Sequence, residues 1–401
     1  MGVSSPIAGK SKGRSKSPSS ATVREKDASS SSGKEGRVVA SKSSRAPLGQ
    51  TGGKYRQHPH LPTGNADPVP ATLMYWSKAP VYGVLPIHGL RAHSATLVDG
   101  VTWIFGGCDE KGCWKDVWCF NTETMQWSNP ATVGDVPPPC RAHTATLVDK
   151  KLVIFGGGEG PVYYNEVYVL DTVTRQWQHP QFGPPTHLET PPTIPPPRRA
   201  HTAVLYRGRI WVFGGGNGTQ ALNDLWTLEV GNNASVDRMK WEMMKTGGKT
   251  PSPRGYHTAN LVGNVMVVVG GSDGRECFSD IWCLNLDTLQ WSQVKLQTQY
   301  RRLSHTATQV GSYLFIWGGH NGSSYTSELL LFNLVALVFE NRAPAGRAPS
   351  ARAYHAALLT DSRLFVFGGF NGNDVYDDVY ILDLAGAAYL PQVTSFRIDV
   401  E

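Results

Sequence analysis

The 401-residue chain has no apolar run long enough to cross a bilayer. Its longest, Leu329 to Phe339, is broken by Asn333, against the roughly 20 consecutive apolar residues that a spanning helix needs. No apolar segment follows the N-terminus, so neither a leader nor an anchor is expected, and the expected location is cytoplasmic. Met1-Gly2 opens like an acylation signal, but Pro6 stands where that signal requires Ser or Thr, which excludes N-myristoylation. Cysteine is scarce, with six residues and no Cys-x-x-Cys, so neither a disulfide framework nor a zinc site is expected and the thiols read as reduced, small apolar residues. The sequons at Asn217, Asn233 and Asn321 carry no weight without export. Heptads, a phosphate-cradling glycine loop, a Ser-His-Asp set and paired catalytic carboxylates are also missing, which removes coiled-coil assembly and the common hydrolase and nucleotide chemistries.

What the chain has is glycine, 43 residues of it, and a pair of glycines that returns six times: Gly106-Gly107, Gly156-Gly157, Gly214-Gly215, Gly270-Gly271, Gly318-Gly319 and Gly368-Gly369. Thirteen residues before each pair stands a histidine (His93, His143, His201, His257, His305, His355), with an alanine two residues later. Nine residues after the second glycine comes an acid: Asp116, Glu166, Asp224, Asp280, Glu328 and Asp378. Twenty residues after it an aromatic follows in five of six copies (Trp127, Trp177, Trp291, Phe339, Tyr389), and in the third an insertion delays it to Trp241. A repeat of 48 to 58 residues restricts the architecture to a few solenoids and propellers.

The unit is built of strands. Large apolar residues alternate just before each glycine pair, as in Trp103 and Phe105 or Phe365 and Phe367, which is a buried strand read at period two. The His-x-Ala pattern opens an earlier strand, a third follows the acid, and the late aromatic marks a fourth. Four short strands per unit make one propeller blade, so the expected fold is all-β, a six-bladed propeller. The run Arg-Ala-His-Ser-Ala from 91, Trp-Ile-Phe-Gly-Gly from 103, Asp-Val-Trp from 116 and then Trp127 resembles the kelch motif, and the other five units match it. This resemblance covers residues 71 to 400 and implies an intracellular interaction domain, similar to fungal kelch proteins of cell polarity and mitotic exit or to kelch effectors of small GTPases. The coiled coils and BTB domain of related proteins have no counterpart here. A galactose-oxidase-like copper enzyme on a related propeller is the competing class, but no extra Tyr and His set outside the repeat offers a copper site. No cofactor and no metal are expected.

The chain therefore divides into a tail, residues 1–70, and a propeller, 71–401. Of its 38 basic and 32 acidic residues, 12 and three fall within residues 1–60, which leaves 26 against 29 for the rest. The basic balance belongs to the tail, whose Ser, Lys, Gly and Pro content predicts disorder. A weak contact with an anionic surface is the one partner that the tail's charge suggests, and proline-directed phosphorylation at Ser5 or Ser17 would reduce that charge. Trp76 stands 17 residues before His93, close to the 16 between Trp127 and His143. Leu73 to Trp76 is therefore expected to supply the fourth strand of the last blade, against Val379 to Leu382, with Tyr389 as the competing source. A proline-rich excursion separates Gln178 from Arg198, and a smaller insertion covers Val230 to Lys240.

Six histidines at equivalent positions of a ring do not converge on one ion, so they read as packing residues. An arginine precedes each histidine by two or three residues (Arg91, Arg141, Arg199, Arg254, Arg302, Arg352), and a structural ring of pairs with the repeat acids is expected. Arg198, Arg275, Arg301 and Arg347 fall outside that pattern and read as unpaired. The loops from strand four to strand one and from strand two to strand three share a face and hold the least repetitive residues: Asp109, Glu159, Asn217, Asp273, Arg275, Arg301, His320, Asn321, Phe370 and Asn371, with Arg198. The expected function is a non-catalytic scaffold or adaptor, a monomer, that binds a protein partner on this face. Phe370 is the expected anchor, with Arg275 and Arg301 as readers of carboxylate or phosphate. The folded part is net negative and lacks a basic stripe, so no nucleic acid is expected there.

Overall fold

The computed structural model describes residues 54–59, 72–182, 193–390, 392–393 and 395–398. These form six antiparallel four-stranded blades. Blade one runs from its inner to its outer strand through Ser94–Val98, Val101–Phe105, Val117–Asn121 and Gln126–Ser128. Blade two follows through Thr144–Val148, Lys151–Phe155, Val167–Asp171 and Gln176–Gln178. Blade three comprises Thr202–Tyr206, Arg209–Gly216, Ala221–Glu229 and Lys240–Met244. Blade four comprises Thr258–Val262, Val265–Val269, Ile281–Asn285 and Gln290–Gln293. Blade five comprises Thr306–Val310, Tyr313–Trp317, Leu329–Asn333 and Val338–Glu340. In blade six, Ala356–Thr360, Arg363–Phe370 and Val375–Asp383 are completed by Tyr75–Lys78 from the other end of the propeller. Among the described residues the only helices are the 3-10 turns Val236–Arg238 and Ala385–Tyr389. None is long and apolar enough to cross a membrane.

The ring is thus closed by the N-terminal clasp. Trp76 pairs with Leu382 and Lys78 with Tyr380, a strand shifted two residues along from Leu73–Trp76. Tyr389 supplies no strand, because the chain turns into a 3-10 helix before reaching it. The blades also overlap outward. The segments Tyr82–Leu85, Val133–Gly134, Gly247–Gly248 and Ala345–Gly346 each leave one outer strand and add a short parallel strand to the edge of the next blade. Lys54–Arg56 lies within the stretch expected to be disordered, yet pairs with Tyr82–Leu85 as a sixth strand of blade one. That edge was open and offered it unpaired backbone groups. The rest of that expectation, residues 1–53 and 60–70, and the middle of the proline-rich excursion, 183–192, lie outside the described residues.

The core is distributed over six interfaces between blades. Between blades one and two, Phe105 meets Trp177 at 5.1 Å between ring centroids. Between two and three Phe155 meets Trp241 at 4.7 Å, and between three and four Phe213 meets Trp291 at 5.0 Å. At the closing seam Trp127 packs on Phe367 and, one interface back, Trp76 on Trp317. The aromatic that ends the repeat therefore packs on the second strand of the preceding blade. Burial of such a ring contributes several kcal/mol, about 3–5 when truncation to Ala is the measure.

The glycine pair is explained by a close crossing. Gly106 has φ of 64°, and a Cβ there would lie 2.6 Å from the Cys140 carbonyl, where the chain enters the next blade. Gly107, at φ 91°, would press its Cβ into His93 at 2.8 Å. Only glycine adopts this backbone and leaves that room.

Candidate functional site: the mouth of the propeller

The residue before each repeat histidine has a positive φ: Ala92, Ala142, Ala200, Tyr256, Ser304 and Tyr354. Their backbones form a closed circle around the axis. The Ala142 amide donates to the Ala92 carbonyl, Ala200 to Ala142, Tyr256 to Ala200, Ser304 to Tyr256, Tyr354 to Ser304 and Ala92 to Tyr354, over distances of 2.7 to 3.0 Å. Each blade satisfies its neighbour, and the residues on this circle define the mouth.

Around it the histidines are walled in. His143 shares a hydrogen bond with Ser94 (2.9 Å), His201 with Thr144 (3.0 Å), His257 with Thr202 (2.8 Å), His305 with Thr258 (3.1 Å) and His355 with Thr306 (2.9 Å). Each imidazole therefore reaches the hydroxyl next to the preceding blade's histidine. For His93 the equivalent position, the residue after His355, is Ala356, and neither of its ring nitrogens has a partner. Burial holds His93 down to about 4 and His143, His257 and His305 to about 3, with Arg254 and Arg302 adding to the effect on the last two. Burial also takes His201 and His355 well below the usual imidazole range. All six are neutral packing groups. Among the described residues no cluster of three or more His, Cys, Asp or Glu side chains is placed to hold a metal.

The arginines separate into two classes that a one-residue offset keeps apart. Three residues before the histidine, Arg198, Arg254, Arg302 and Arg352 are buried and reach the repeat acids. Arg198 donates to both carboxylate oxygens of Asp224 at 2.8 and 2.7 Å and to the Gly214 carbonyl. Arg254 does the same with Asp280 and Gly270, Arg352 pairs with Asp378, and Arg302 with Glu328. Burial pushes the Asp280 carboxyl up, but hydrogen bonds and charge from Arg254 outweigh it and hold the group below its ordinary value. Arg198, expected to be free for a partner, is therefore a structural residue with no exposed surface. The expected ring of six pairs is a set of four, since blades one and two carry Leu90 and Cys140 in that place.

Two residues before the histidine stand Arg91, Arg141 and Arg199, and these point to the mouth. They line one cavity with Tyr256, Tyr325, Tyr354 and Phe370. Among the described residues none of the three has a carboxylate partner. Arg91 lies over the Phe370 ring at 4.3 Å and Arg199 over Tyr163 at 4.2 Å, so each guanidinium is oriented by an aromatic face. Burial lowers the Arg141 pKa, and the charges of Arg199 and Arg91 push in the same direction. The other half of the opening is aromatic: Tyr256 and Tyr354 meet edge to face at 5.9 Å, and Tyr325 meets Phe370 at 6.1 Å. The cavity is about 130 Å³, well under the roughly 300 Å³ at which metabolite sites begin. Its volume is that of a single side chain or a carboxylate.

Of the residues expected to bind, Phe370 lies in this mouth. Asp273 lines an adjoining cavity with Tyr163, Arg199 and Tyr256. Its carboxylate accepts the Arg275 and Glu276 amides at 2.8 Å, which lowers its pKa. Asp109, Asn217, Asn321 and Asn371 cap their own loops in the same way, each accepting the amides two and three residues on. Glu159 sits in the short hairpin Gly158–Glu159 with Val162–Tyr163. His320 turns its Nδ1 to the Gly322 amide and its ring edge to Tyr325. Arg275, Arg301 and Arg347 are exposed outside the mouth cavity. Sequence reasoning did not set Arg91, Arg141 and Arg199 apart as residues of the mouth because it pooled both arginine positions; the exchange of Arg for Gly255, Leu303 and Ala353 in the last three units was the available signal. The structure corrects one cysteine reading as well. Cys108 and Cys113 are joined as a disulfide across the blade-one loop, while Cys119, Cys140, Cys277 and Cys283 are free and buried.

Six closed four-stranded blades around one axis define a β-propeller. Residues 90–291 match the family described as FBX42, beta-propeller domain, and residues 304–395 match the KLHDC2/KLHL20/DRC7 Kelch-repeats domain. The chain belongs to the kelch-repeat β-propeller family. It is 34% identical over 125 residues to Host cell factor 1 of Homo sapiens, a match covering 26% of this chain and 6% of that protein. It is 29% identical over 131 residues to Tip elongation aberrant protein 3 of Schizosaccharomyces pombe (27% and 12%). A Rho GTPase-activating protein of Dictyostelium discoideum, gacHH, is 30% identical over 108 residues (25% and 7%). The matched stretch is thus a small fraction of each of these longer relatives.

Proposed function

We propose that this propeller is a non-catalytic interaction module that holds an acidic, extended segment of a protein partner across its mouth. Kelch propellers are protein-interaction domains, which supports the general class. The observation that carries the finer reading is the set of three guanidiniums, Arg91, Arg141 and Arg199, gathered at one opening with none of them in a salt bridge among the described residues. Gathering like charges is unfavourable unless an anion comes to them, and a carboxylate takes bidentate hydrogen bonds from such forks. The acidic side chains would lie over blades one to three and an apolar or aromatic side chain against Phe370, Tyr325 and Tyr354. Exposed Arg275 and Arg301, with His320 and Asn321, form the outer rim that a longer partner would meet. The likeness to Tip elongation aberrant protein 3 supports a place in cell polarity.

The test is fluorescence anisotropy with a fluorescein-labelled oligoglutamate peptide and the full chain. Binding weakens as salt rises, and Arg141→Glu lowers affinity by about tenfold or more, the loss of one charge-assisted bond and its replacement by repulsion. Equal binding by Arg141→Glu and the wild-type chain would place the site elsewhere. A copper-dependent oxidase activity in purified protein would favour the competing enzyme class.

A further inference from the structure

We infer that the Cys108–Cys113 pair is a thiol–disulfide modification site that controls how firmly Arg91 is held at the mouth; its consequence for binding rests on the function proposed above. The Cys108 amide donates to the Arg91 carbonyl at 3.0 Å, and the Arg91 amide donates to the Cys108 carbonyl at 3.1 Å. The loop closed by the disulfide is therefore bonded in both directions to the residue whose guanidinium lies on Phe370.

The fold itself does not require the covalent bond. In blade four the same positions are Ser272 and Cys277, and they form the same antiparallel bridge, with Ser272 bonded to Gly255 as Cys108 is to Arg91. Blade five repeats the bridge with His320 and Tyr325. Asp109 caps the blade-one loop through the Lys111 and Gly112 amides whether or not the sulfurs are joined. Reduction thus removes a constraint from the loop and leaves its hydrogen bonds in place.

The pair also differs from the other cysteines in access. Cys113 is half-buried on the flank of a loop whose residues 110–112 are exposed. Cys119, Cys140, Cys277 and Cys283 are all buried, and burial pushes the first, second and fourth thiols up to about 12. Nucleophilic thiolate is scarce at those sites. In the step proposed, a thiolate of an external dithiol attacks the Cys113 sulfur and the Sγ–Sγ bond breaks. The electron pair leaves with Cys108, which takes up a proton. The reductant's second thiol then displaces Cys113 and closes as the reductant's own disulfide. Glutathione disulfide reverses the reaction and is itself reduced to two thiols.

The full chain is treated with dithiothreitol without denaturant, alkylated and mapped by mass spectrometry. Cys108 and Cys113 take the label, the other four cysteines do not, the melting temperature stays within a few degrees, and glutathione disulfide restores the bond. In parallel, amide exchange in the segment holding Arg91 speeds up by about fivefold or more on reduction, a local opening, and the Cys108→Ser, Cys113→Ser double variant stays in the fast form under both conditions. Labelling that requires denaturant overturns the inference, as does an Arg91 amide that exchanges equally in both forms. Oligoglutamate affinity falls on reduction. A peptide that binds neither form counts against the proposed function, while labelling and exchange still decide the redox inference.

Discussion

At the scale of single residues, the ring of imidazoles has one missing bond. Five histidines meet a Ser or Thr hydroxyl of the preceding blade, and His93 has none, the equivalent position being Ala356. Ala356→Thr places a hydroxyl where the other five blades have one, and it is expected to raise unfolding free energy by about 1 kcal/mol, the worth of one added hydrogen bond. Chemical denaturation measures it; a variant less stable than the parent would show that the closing seam is packed differently from the rest. The two arginine classes give a sharper contrast between neighbours. Arg198→Ala leaves Asp224 without its buried partner and costs about 3–5 kcal/mol, whereas Arg199→Ala changes stability by less than about 1 kcal/mol and weakens anion binding. Equal losses of stability would merge the classes again. The distinction was hard to read in the sequence because Arg198 and Arg199 are adjacent and their roles depend on which side chain the strand entry turns inward.

At the scale of elements, the closing strand carries the most weight. Trp76 is almost wholly buried and packs on Trp317 at 5.6 Å in the interface between blades five and six. Trp76→Ala is expected to cost about 3–5 kcal/mol and to expose blade six first, seen as faster amide exchange in Val375–Asp383 than in Val167–Asp171. Uniform acceleration over all blades would mean that the ring opens as one unit. The clasp was legible because Trp76 keeps the repeat's spacing without a repeat around it. The parallel edge strands went unread, although glycines stand seven residues after the fourth-strand aromatic in four units: Gly83, Gly134, Gly248 and Gly346. Each has a positive φ, and a Cβ at Gly83 would meet the Trp127 carbonyl at 2.4 Å. Strands of two to four residues have too little periodicity to detect, so only the glycine spacing could have marked them. The disulfide was equally hidden, since blade four shows that the same loop forms with one cysteine.

At the scale of the whole molecule, the neutral histidines act together. In the unfolded chain they titrate near 6.5, while in the folded chain burial holds His93, His143, His257 and His305 down to about 3 to 4 and takes His201 and His355 well below the usual range. The unfolded state therefore binds more protons between those values. Stability is complete above about pH 6.5 and falls as pH is lowered toward 4, each imidazole contributing a slope of about 1.4 kcal/mol per pH unit. Melting temperatures from pH 7.5 to 4.5 are expected to be flat and then to drop steeply; no drop would mean that the ring is protonated and hydrated.

The same symmetry that buries the histidines leaves the mouth asymmetric, cationic over blades one to three and aromatic over four to six. The most direct measurement compares two triple variants by oligoglutamate titration, after both have been shown to melt normally. One removes Arg91, Arg141 and Arg199 by substitution with Ala. The other removes the same charge from the turns of the opposite face, with Lys150→Ala, Arg175→Ala and Arg207→Ala. The first is expected to lose peptide binding and the second to keep the wild-type affinity. Equal loss in both, or loss in the second alone, would contradict a binding site at the mouth.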